Sequence, residues 1–245
     1  MEKSSVDKVA NRTIHRWRRI LFDPLAWILS RRELRRLMRQ AGSPDQVIAV
    51  THQYAGRGFY AALRPVQNNA EITRLAQRFY DQNPRIVVEI GTFKGGTLFM
   101  WCRLSRRAET VVSIDLPQGF YGGGYEPRRV KLYREFLYDR PGTKLALMRR
   151  DSHDPETLRA LEAILAGRNL DFLYIDGDHT YEGCKNDFEL YAPLVREGMV
   201  VFHDILTRTA NCGVYQLWEE LKNRYPTEEI LAPGSGKGIG VLHKR

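Results

Sequence analysis

Short apolar runs alternate with helical patterns along the chain after Pro84. The apolar runs predict strands at residues 85–90, 111–115, 145–148, 172–176 and 199–203. Apolar positions at three- and four-residue spacing predict helices between them, at 97–104, 155–166, 181–194 and 214–223. Strands that are apolar on both faces and alternate with helices are typical of a parallel sheet covered on both sides. The pattern therefore predicts an α/β fold with a doubly wound, mostly parallel sheet.

The N-terminal quarter has a different, helical pattern. A helix is predicted over residues 11–40, and Pro24 should begin or kink it. Its apolar positions recur at helical spacing: Trp17, Leu21, Leu25 and Ile28. A second helix is predicted at 69–81, before Asn83 and Pro84. We therefore expect a helical extension at residues 1–63 and one α/β domain at 64–245, whose tail forms a closing pair of strands at 229–232 and 238–243.

Composition narrows the class of protein. Hydrophobic residues make up 43% of the 245 positions and charged residues 27%, which is typical of a soluble globular protein. No apolar run approaches the roughly 20 residues that cross a bilayer, and residues 1–10 lack the apolar stretch of a secretory signal. Cys102, Cys184 and Cys212 have no metal-type spacing. We therefore expect a cytoplasmic protein without a disulfide framework.

The net charge of +9 is concentrated at the N-terminus. Residues 1–40 hold 11 lysines and arginines against four acids, so this segment contributes +7. The remaining chain is close to neutral, which argues against a nucleic-acid surface spread over the α/β domain. Two interpretations of the extension remain open. It is either an interfacial helix on anionic lipid, or a helix docked on the domain or on another subunit of a homo-oligomer.

A glycine-rich turn follows the first predicted strand of the α/β domain. Gly91 allows a tight turn, and Gly95 and Gly96 let the next helix begin close to a ligand. A dinucleotide site would have a glycine where Phe93 stands. The pattern from Glu89 to Gly96 instead resembles the first motif of class I methyltransferases, whose cofactor carries an ammonium group that Glu89 could hold. The candidate cofactor contacts in this turn are Glu89, Gly91, Thr92, Phe93, Gly95, Gly96 and Thr97.

Acidic residues follow the next two predicted strands. Asp115 ends the second strand, where a carboxylate can accept both ribose hydroxyls of a nucleoside. Asp151 and Ser152 follow the third strand, where class I methyltransferases usually contact adenine. The alternative for Asp151 is a helix cap before Pro155.

Ionisable side chains cluster after the fourth and fifth strands. Asp176, Asp178 and His179 follow the strand at 172–176, and His203 and Asp204 end the strand at 199–203. Strand ends that face a ligand crevice are where such groups carry out chemistry. Adjacent parallel strands would bring Asp176 and Asp204 within reach of one cation.

These signatures resemble a known family. The run from Ile175 to Gly183 and the run from Phe202 to Ile205 are similar to the O-methyltransferases of "methyltransferase domain 24", which include macrolide-sugar O-methyltransferases and cephalosporin-hydroxylase-like proteins. The resemblance covers about residues 64–243. It implies a Rossmann-like class I methyltransferase fold, S-adenosylmethionine as cofactor, with Asp176 among its contacts, and O-methylation of a small-molecule or sugar hydroxyl.

A more distant similarity concerns the catechol O-methyltransferases. It implies that Asp176 and Asp204 bind Mg²⁺ and that His179 stands where the base would be, but Ile205 replaces the family's metal-binding asparagine. His203 or Asp178 is a candidate to complete the site, and a histidine ligand would favour a softer divalent ion. We assign His179 as the leading general base and His203 as the second. The alternative is that the histidine is a structural partner of its neighbouring acids, or that residues 178–180 cap the next helix.

The sequence leaves alternatives for two loops and for the acceptor. Residues 118–125 form either a lid or a flexible loop, and residues 57–68 form a candidate cover over the cofactor. The acceptor is either free or linked to a lipid or membrane, and a non-catalytic S-adenosylmethionine-binding protein is a further alternative. A nucleic-acid methyltransferase is disfavoured because no motif for a flipped base is present.

Overall fold

The sheet predicted by the apolar runs is present. A computed structural model describes residues 20–117 and 124–245. Its seven strands lie in the order β3-β2-β1-β4-β5-β7-β6, and β7 runs in the opposite direction to the other six. The strands are β1 (Ile86–Ile90), β2 (Thr110–Asp115), β3 (Lys144–Arg149), β4 (Leu170–Ile175), β5 (Val195–His203), β6 (Thr227–Ile230) and β7 (Ile239–Lys244). The predicted mostly parallel sheet and its closing strand pair are confirmed.

Helices cover both faces of this sheet. Side chains of β1 alternate between two separate hydrophobic clusters, with Val87 in one and Val88 in the other. This alternation follows from the two-residue period of a strand. The helices are α1 (Asp23–Met38), α2 (Pro44–Gln53), α3 (Asn69–Gln82), α4 (Gly96–Leu104), α5 (Val130–Arg134), α6 (Pro155–Leu165), α7 (Tyr181–Tyr191) and α8 (Val214–Lys222). The doubly wound architecture is therefore confirmed.

Local sequence signals fix several helix ends. The side chain of Asn68 accepts hydrogen bonds from the first turn of α3, and Asn83 ends that helix in the left-handed conformation with φ 53°. Asp154 caps α6 and Thr180 caps α7 in the same way. These caps place the loops that precede α6 and α7 at the carboxyl edge of the sheet.

The N-terminal extension contributes to the core. Pro24 lies in the first turn of α1, so it begins that helix, while residues 11–19 of the predicted helix lie outside the described part of the chain. The helix α2 was not predicted, although Ser43 and Gln46 form a capping box at its start. Leu34 of α1 and Val47 of α2 belong to the same cluster as Val87. The boundary between residues 63 and 64 stays a prediction.

Two further predictions concern the loop at 118–125 and membrane-spanning segments. Residues 118–123 of the predicted lid or loop lie outside the described residues. Within the described ranges, no helix combines the length and the apolar character needed to cross a membrane.

Candidate active site

A cavity of about 620 Å³ lies at the carboxyl edge of the parallel strands. The ends of β1, β2, β4 and β5 meet there because parallel strands place their carboxyl ends at one edge. Most of the predicted site residues line it: Gly91, Thr92, Phe93, Gly96, Thr97, Asp115, Asp151, Ser152, Asp176, His179, His203 and Asp204. The cavity therefore brings the predicted cofactor contacts and the ionisable cluster into one space.

The glycine-rich turn forms the floor of this cavity. Gly91 has φ 89°, and a Cβ atom on it would lie 2.0 Å from the carbonyl oxygen of Asp176. A Cβ atom on Gly96 would lie 2.1 Å from the carbonyl oxygen of Leu63. Glycine is required at both positions because neighbouring backbone passes so close. Gly95 begins α4 with φ 80° and packs against the ring of Tyr133, outside the cavity wall.

Glu89 is also placed behind the cavity rather than on its wall. Its carboxylate is fully buried and accepts hydrogen bonds from the Thr92 hydroxyl at 2.8 Å and the Trp101 indole at 3.0 Å. Burial raises the pKa of Glu89 to about 8, and hydrogen bonds from Thr97, Thr92 and Trp101 offset part of that effect. Glu89 therefore stabilises the glycine-rich turn from the buried side, and its carboxylate does not line the cavity.

Asp115 lines the cavity and is held by backbone amides. One carboxylate oxygen accepts hydrogen bonds from the N–H groups of Thr92 and Phe93, at 3.1 and 2.7 Å. The other accepts from Leu116 and Gly124, at 2.9 and 3.0 Å. Burial raises the pKa of Asp115 despite these bonds. Asp115 thus ties the glycine-rich turn to the end of β2, at the place predicted for a ribose.

The segment after β3 carries a second pair of ionisable groups. Asp151 is exposed, lines the cavity, and accepts a hydrogen bond from the His153 N–H at 2.9 Å, whereas Asp154 caps α6. His153 Nε2 lies 3.3 Å from Oδ1 of Asp187, a fully buried acid on α7. This contact with Asp187 raises the pKa of His153 to about 9, and His153 Nε2 also lies 3.1 Å from the carbonyl oxygen of Gly183. Burial raises the pKa of Asp187 itself. No role for His153 or Asp187 was predicted from the sequence.

Two aspartates and two histidines form a closed cluster at the ends of β4 and β5. Asp176 Oδ1 lies 3.1 Å from both His179 Nε2 and His203 Nδ1. Asp204 Oδ2 lies 3.2 Å from His203 Nδ1 and 3.4 Å from His179 Nδ1. The sequence placed these four residues at neighbouring strand ends, and the structure brings their side chains into contact.

The charges in this cluster stabilise one another. Burial raises the pKa of Asp176, but the charges and hydrogen bonds of the two histidines outweigh it and hold the pKa well below its ordinary value. Burial lowers the pKa of His203, but Asp176 and Asp204 together raise it to about 9. The pKa of His179 is raised mainly by its hydrogen bond with Asp176. In this arrangement both imidazoles favour the protonated state.

The two histidines differ in their access to the cavity. The side chain of His179 is 37% exposed and that of His203 is 2% exposed. The Nε2 atom of His203 is buried without a hydrogen-bond partner among the described residues. His179 is therefore the more accessible of the two imidazoles to a molecule in the cavity.

Residues outside the predicted set complete the cluster. Gln67 Nε2 donates a 2.5 Å hydrogen bond to Asp176 Oδ2, and the Tyr174 hydroxyl lies 3.4 Å from the same oxygen. The Thr207 hydroxyl donates to Asp204 Oδ1 at 2.8 Å. Residues 64–67 of the candidate cover line the cavity. Gln67 lies within the candidate cover predicted at residues 57–68, whereas no sequence signal pointed to Thr207.

The donor set fits a divalent cation. One ligand atom each from Asp176, His203 and Asp204 can be chosen so that all lie within 4.8 Å of one another. Two carboxylates and one imidazole suit Mn²⁺ or Zn²⁺ at least as well as Mg²⁺. Asp178 is directed elsewhere, because its Oδ1 accepts from the Thr180 N–H at 2.9 Å, at the start of α7. The capping interpretation thus applies to Asp178 and Thr180, while the imidazole of His179 faces the two acids.

Comparisons with known proteins point to one family. A family model described as a methyltransferase domain matches residues 88–205. An uncharacterized protein of Acanthamoeba polyphaga mimivirus is 29% identical over 150 residues, which cover 61% of this chain and 61% of that protein. A second relative, from Sinorhizobium fredii, is 29% identical over 142 residues, 56% of this chain and only 15% of that protein. The aligned regions thus span less than two thirds of either relative.

Solved structures share the fold at low sequence identity. The calicheamicin methyltransferase structure has a TM-score of 0.57 and 16% identity, and the match covers 88% of this chain and 91% of that one. An O-methyltransferase of tomaymycin synthesis from Streptomyces achromogenes, in complex with S-adenosylmethionine, has a TM-score of 0.53 and 14% identity, with 84% and 91% covered. These likenesses show a common Rossmann-like architecture.

Proposed function

We propose that this chain transfers a methyl group from S-adenosylmethionine to a hydroxyl of a small molecule or sugar, and the match of residues 88–205 to a methyltransferase domain model supports the proposal. The observation that carries the proposal is the single cavity that holds both the glycine-rich turn with Asp115 and the cluster of Asp176, His179, His203 and Asp204. Cofactor-binding and acid–base groups therefore share one space.

The cofactor would lie along the carboxyl edge from β3 to β1. Asp151 and Ser152 line the end assigned to adenine, Asp115 the middle assigned to ribose, and the turn at Gly91 the end assigned to the amino acid portion. S-adenosylmethionine supplies a methyl group on a positively charged sulfur, and the acceptor hydroxyl must lose its proton as it attacks. The chain must therefore position the acceptor and take up a proton beside Asp176.

His179 is the general base in this proposal. Its imidazole is exposed to the cavity, whereas the buried His203 contacts Asp176 and Asp204 and, in its neutral form, would be the third ligand of a cation that they hold. Both nitrogens of His179 face a carboxylate, which favours the protonated ring and opposes its use as a base. A divalent cation bound by Asp176 and Asp204 would reduce this attraction and stabilise negative charge on the acceptor oxygen. The proposed base and the proposed cation are thus coupled through the same two acids.

Calorimetry with S-adenosylmethionine tests the cofactor assignment. We expect micromolar binding to the unaltered chain and at least about tenfold weaker binding to Asp115→Ala and Asp151→Ala. Asp115→Ala also removes four backbone hydrogen bonds, so Asp151→Ala is the cleaner probe, because its carboxylate accepts from one backbone N–H. Asp81→Ala, on the exposed side of α3, is the matched control. If the unaltered chain bound no S-adenosylmethionine, with or without divalent cation, the proposed activity would be wrong.

A second titration tests the cation. We expect Mn²⁺, added without S-adenosylmethionine, to bind to the unaltered chain and not to Asp204→Asn. The same variant should leave S-adenosylmethionine affinity within about threefold, since Asp204 lies on the acceptor side of Asp176. Equal Mn²⁺ affinity in the variant and the unaltered chain would contradict the cation site and leave the methyltransferase assignment intact.

A further inference from the structure

The start of α1 carries an apolar patch that faces solvent. Leu21, Phe22, Leu25 and Ile28, here called the α1 patch, are between 45% and 75% exposed. They are four of the seven large apolar side chains that are exposed in the described part of the chain. Contiguous exposed apolar groups of this kind mark interaction surfaces in folded proteins.

The α1 patch lies on a helix whose opposite face packs against the domain. The opposite face of α1 is anchored in the domain, because Leu34 is fully buried in the core and the ring centroids of Trp27 and Tyr60 lie 5.1 Å apart. The Ser30 hydroxyl accepts a 2.9 Å hydrogen bond from the Arg57 N–H. The α1 patch is therefore held at a fixed place on the surface.

Positive charge borders the patch along the chain in both directions. The exposed face of α1 continues from Ile28 to Arg32, Arg36 and Arg39, which lie at three- and four-residue steps on the same side. These three arginines, the arginine row, make no ion pair with any residue in the described ranges. In the other direction, residues 1–19 hold six lysines and arginines against two acids.

We propose that the α1 patch and the arginine row bind the surface of an anionic membrane. The apolar side chains would enter the headgroup boundary, and the arginines would contact lipid phosphates, as in helices that lie in the membrane interface. Charge complementarity favours lipid over a second copy of this chain. A twofold dimer that pairs the α1 patches with parallel helices would bring the two arginine rows together. Four side chains also fall far short of the 20 to 30 residues a side, roughly, of a stable protein interface.

Vesicle sedimentation of the full chain tests this proposal. We expect binding to vesicles of equal parts phosphatidylcholine and phosphatidylserine, and at least about tenfold weaker binding to phosphatidylcholine alone. The triple variant Leu21→Ser, Leu25→Ser and Ile28→Ser should lose at least about tenfold in affinity for the anionic vesicles. Leu231→Ser, which removes an exposed leucine elsewhere, is the matched control.

A second variant and an independent measurement separate the outcomes. Replacing Arg32, Arg36 and Arg39 with glutamine should weaken binding to anionic vesicles and reduce its dependence on salt. Thermal unfolding followed by circular dichroism, which does not depend on the proposed methyl transfer, reports that each variant is folded. Absence of vesicle binding by the unaltered chain overturns the proposal, and so does equal binding by the serine variant. A dimer in analytical ultracentrifugation that the serine variant dissociates, without vesicle binding, would reassign the patch to a second copy.

Discussion

Gln67 and Asp176 are joined by a 2.5 Å hydrogen bond, although they lie 109 positions apart. The amide of Gln67 occupies Oδ2 of the carboxylate, which leaves Oδ1 for His179 and His203. Gln67 itself is buried in the segment that connects the N-terminal region to α3. The segment that precedes α3 thus fixes the orientation of the central acid of the cluster.

Removing this hydrogen bond should destabilise the protein. We expect Gln67→Leu to lower the free energy of unfolding by about 1.5 to 3 kcal/mol, because a buried charged acceptor loses its donor. Urea unfolding measures the change. Gln77→Leu removes an exposed amide that bonds only to Asp81, and should stay within about 0.5 kcal/mol of the unaltered chain. Equal effects of the two substitutions would show that the bond to Asp176 contributes nothing.

Much of the fold and part of the site were predictable from the sequence, for a local reason. An apolar run that ends in an acid identifies both a buried strand and the edge at which it stops, as at Asp115 and Asp176. Because parallel strands share one carboxyl edge, the acids and histidines that follow them converge without further information. The grouping of Asp176, His203 and Asp204 required only the adjacency of β4 and β5.

The contacts that were missed depend on how separate elements cross. Gln67 reaches Asp176 because its segment passes over the end of β4, which no spacing along the chain encodes. Asp187 is a clearer case, since it lies on α7 among the buried residues Cys184, Phe188 and Tyr191. An acid within an apolar helical face predicts a buried partner. The identity of that partner, His153, requires the packing of α7 beside the loop after β3.

Glu89→Gln should change the pH dependence of stability. The pKa of Glu89 is raised to about 8, so the folded protein holds a proton that the unfolded chain releases above about pH 4.5. Stability is therefore lost as the pH rises from about 4.5 to 8. Glutamine has the same shape but does not titrate. The free energy of unfolding of the variant should therefore rise relative to that of the unaltered chain, by up to about 1.4 kcal/mol per pH unit over that range. Thermal unfolding of both proteins from pH 5 to pH 8 measures the difference.

The same substitution tests the role of Glu89 in binding. Because its carboxylate bonds to Thr92 and Trp101 behind the cavity, S-adenosylmethionine affinity should change less than about threefold. Glu89→Leu, which removes both acceptors, should weaken binding by disordering the turn. A tenfold loss of affinity in Glu89→Gln with unchanged stability would instead favour direct contact between Glu89 and the cofactor's ammonium group.

The His153–Asp187 pair should stabilise the fold below about pH 9. The pKa of His153 is raised from 6.5 to about 9, so its stabilising contribution is fully present below about pH 6.5 and is lost as the pH rises through 9. His153→Gln should lower the free energy of unfolding by about 1 to 3 kcal/mol at pH 6.5, because Asp187 is left buried without its charged partner. The loss in free energy of unfolding caused by His153→Gln should be smaller at pH 9.5 than at pH 6.5.

A double substitution separates the pair from the individual residues. His153→Gln combined with Asp187→Asn removes the buried charge along with its partner, so it should be more stable than His153→Gln alone. Additive effects of the two single substitutions, with no recovery, would mean that the 3.3 Å contact carries no coupling energy.

Replacing Gly91 should reduce stability and binding more than replacing any other residue of the glycine-rich turn. Alanine there meets both a φ of 89° and the Asp176 carbonyl oxygen 2.0 Å from its Cβ, so β1 and β4 must separate. We expect Gly91→Ala to lower the free energy of unfolding by about 3 kcal/mol or more, the sum of left-handed strain and overpacking, and to abolish S-adenosylmethionine binding.

Gly167→Ala is the matched control, because Gly167 has φ 79° but no heavy atom within 4 Å of its Cβ position. It should cost about 1 to 2 kcal/mol through strain alone and leave binding intact. Urea unfolding and calorimetry on both variants would reveal whether the close approach, rather than the backbone angle, makes glycine necessary. Equal losses of stability and binding would assign the requirement to φ alone.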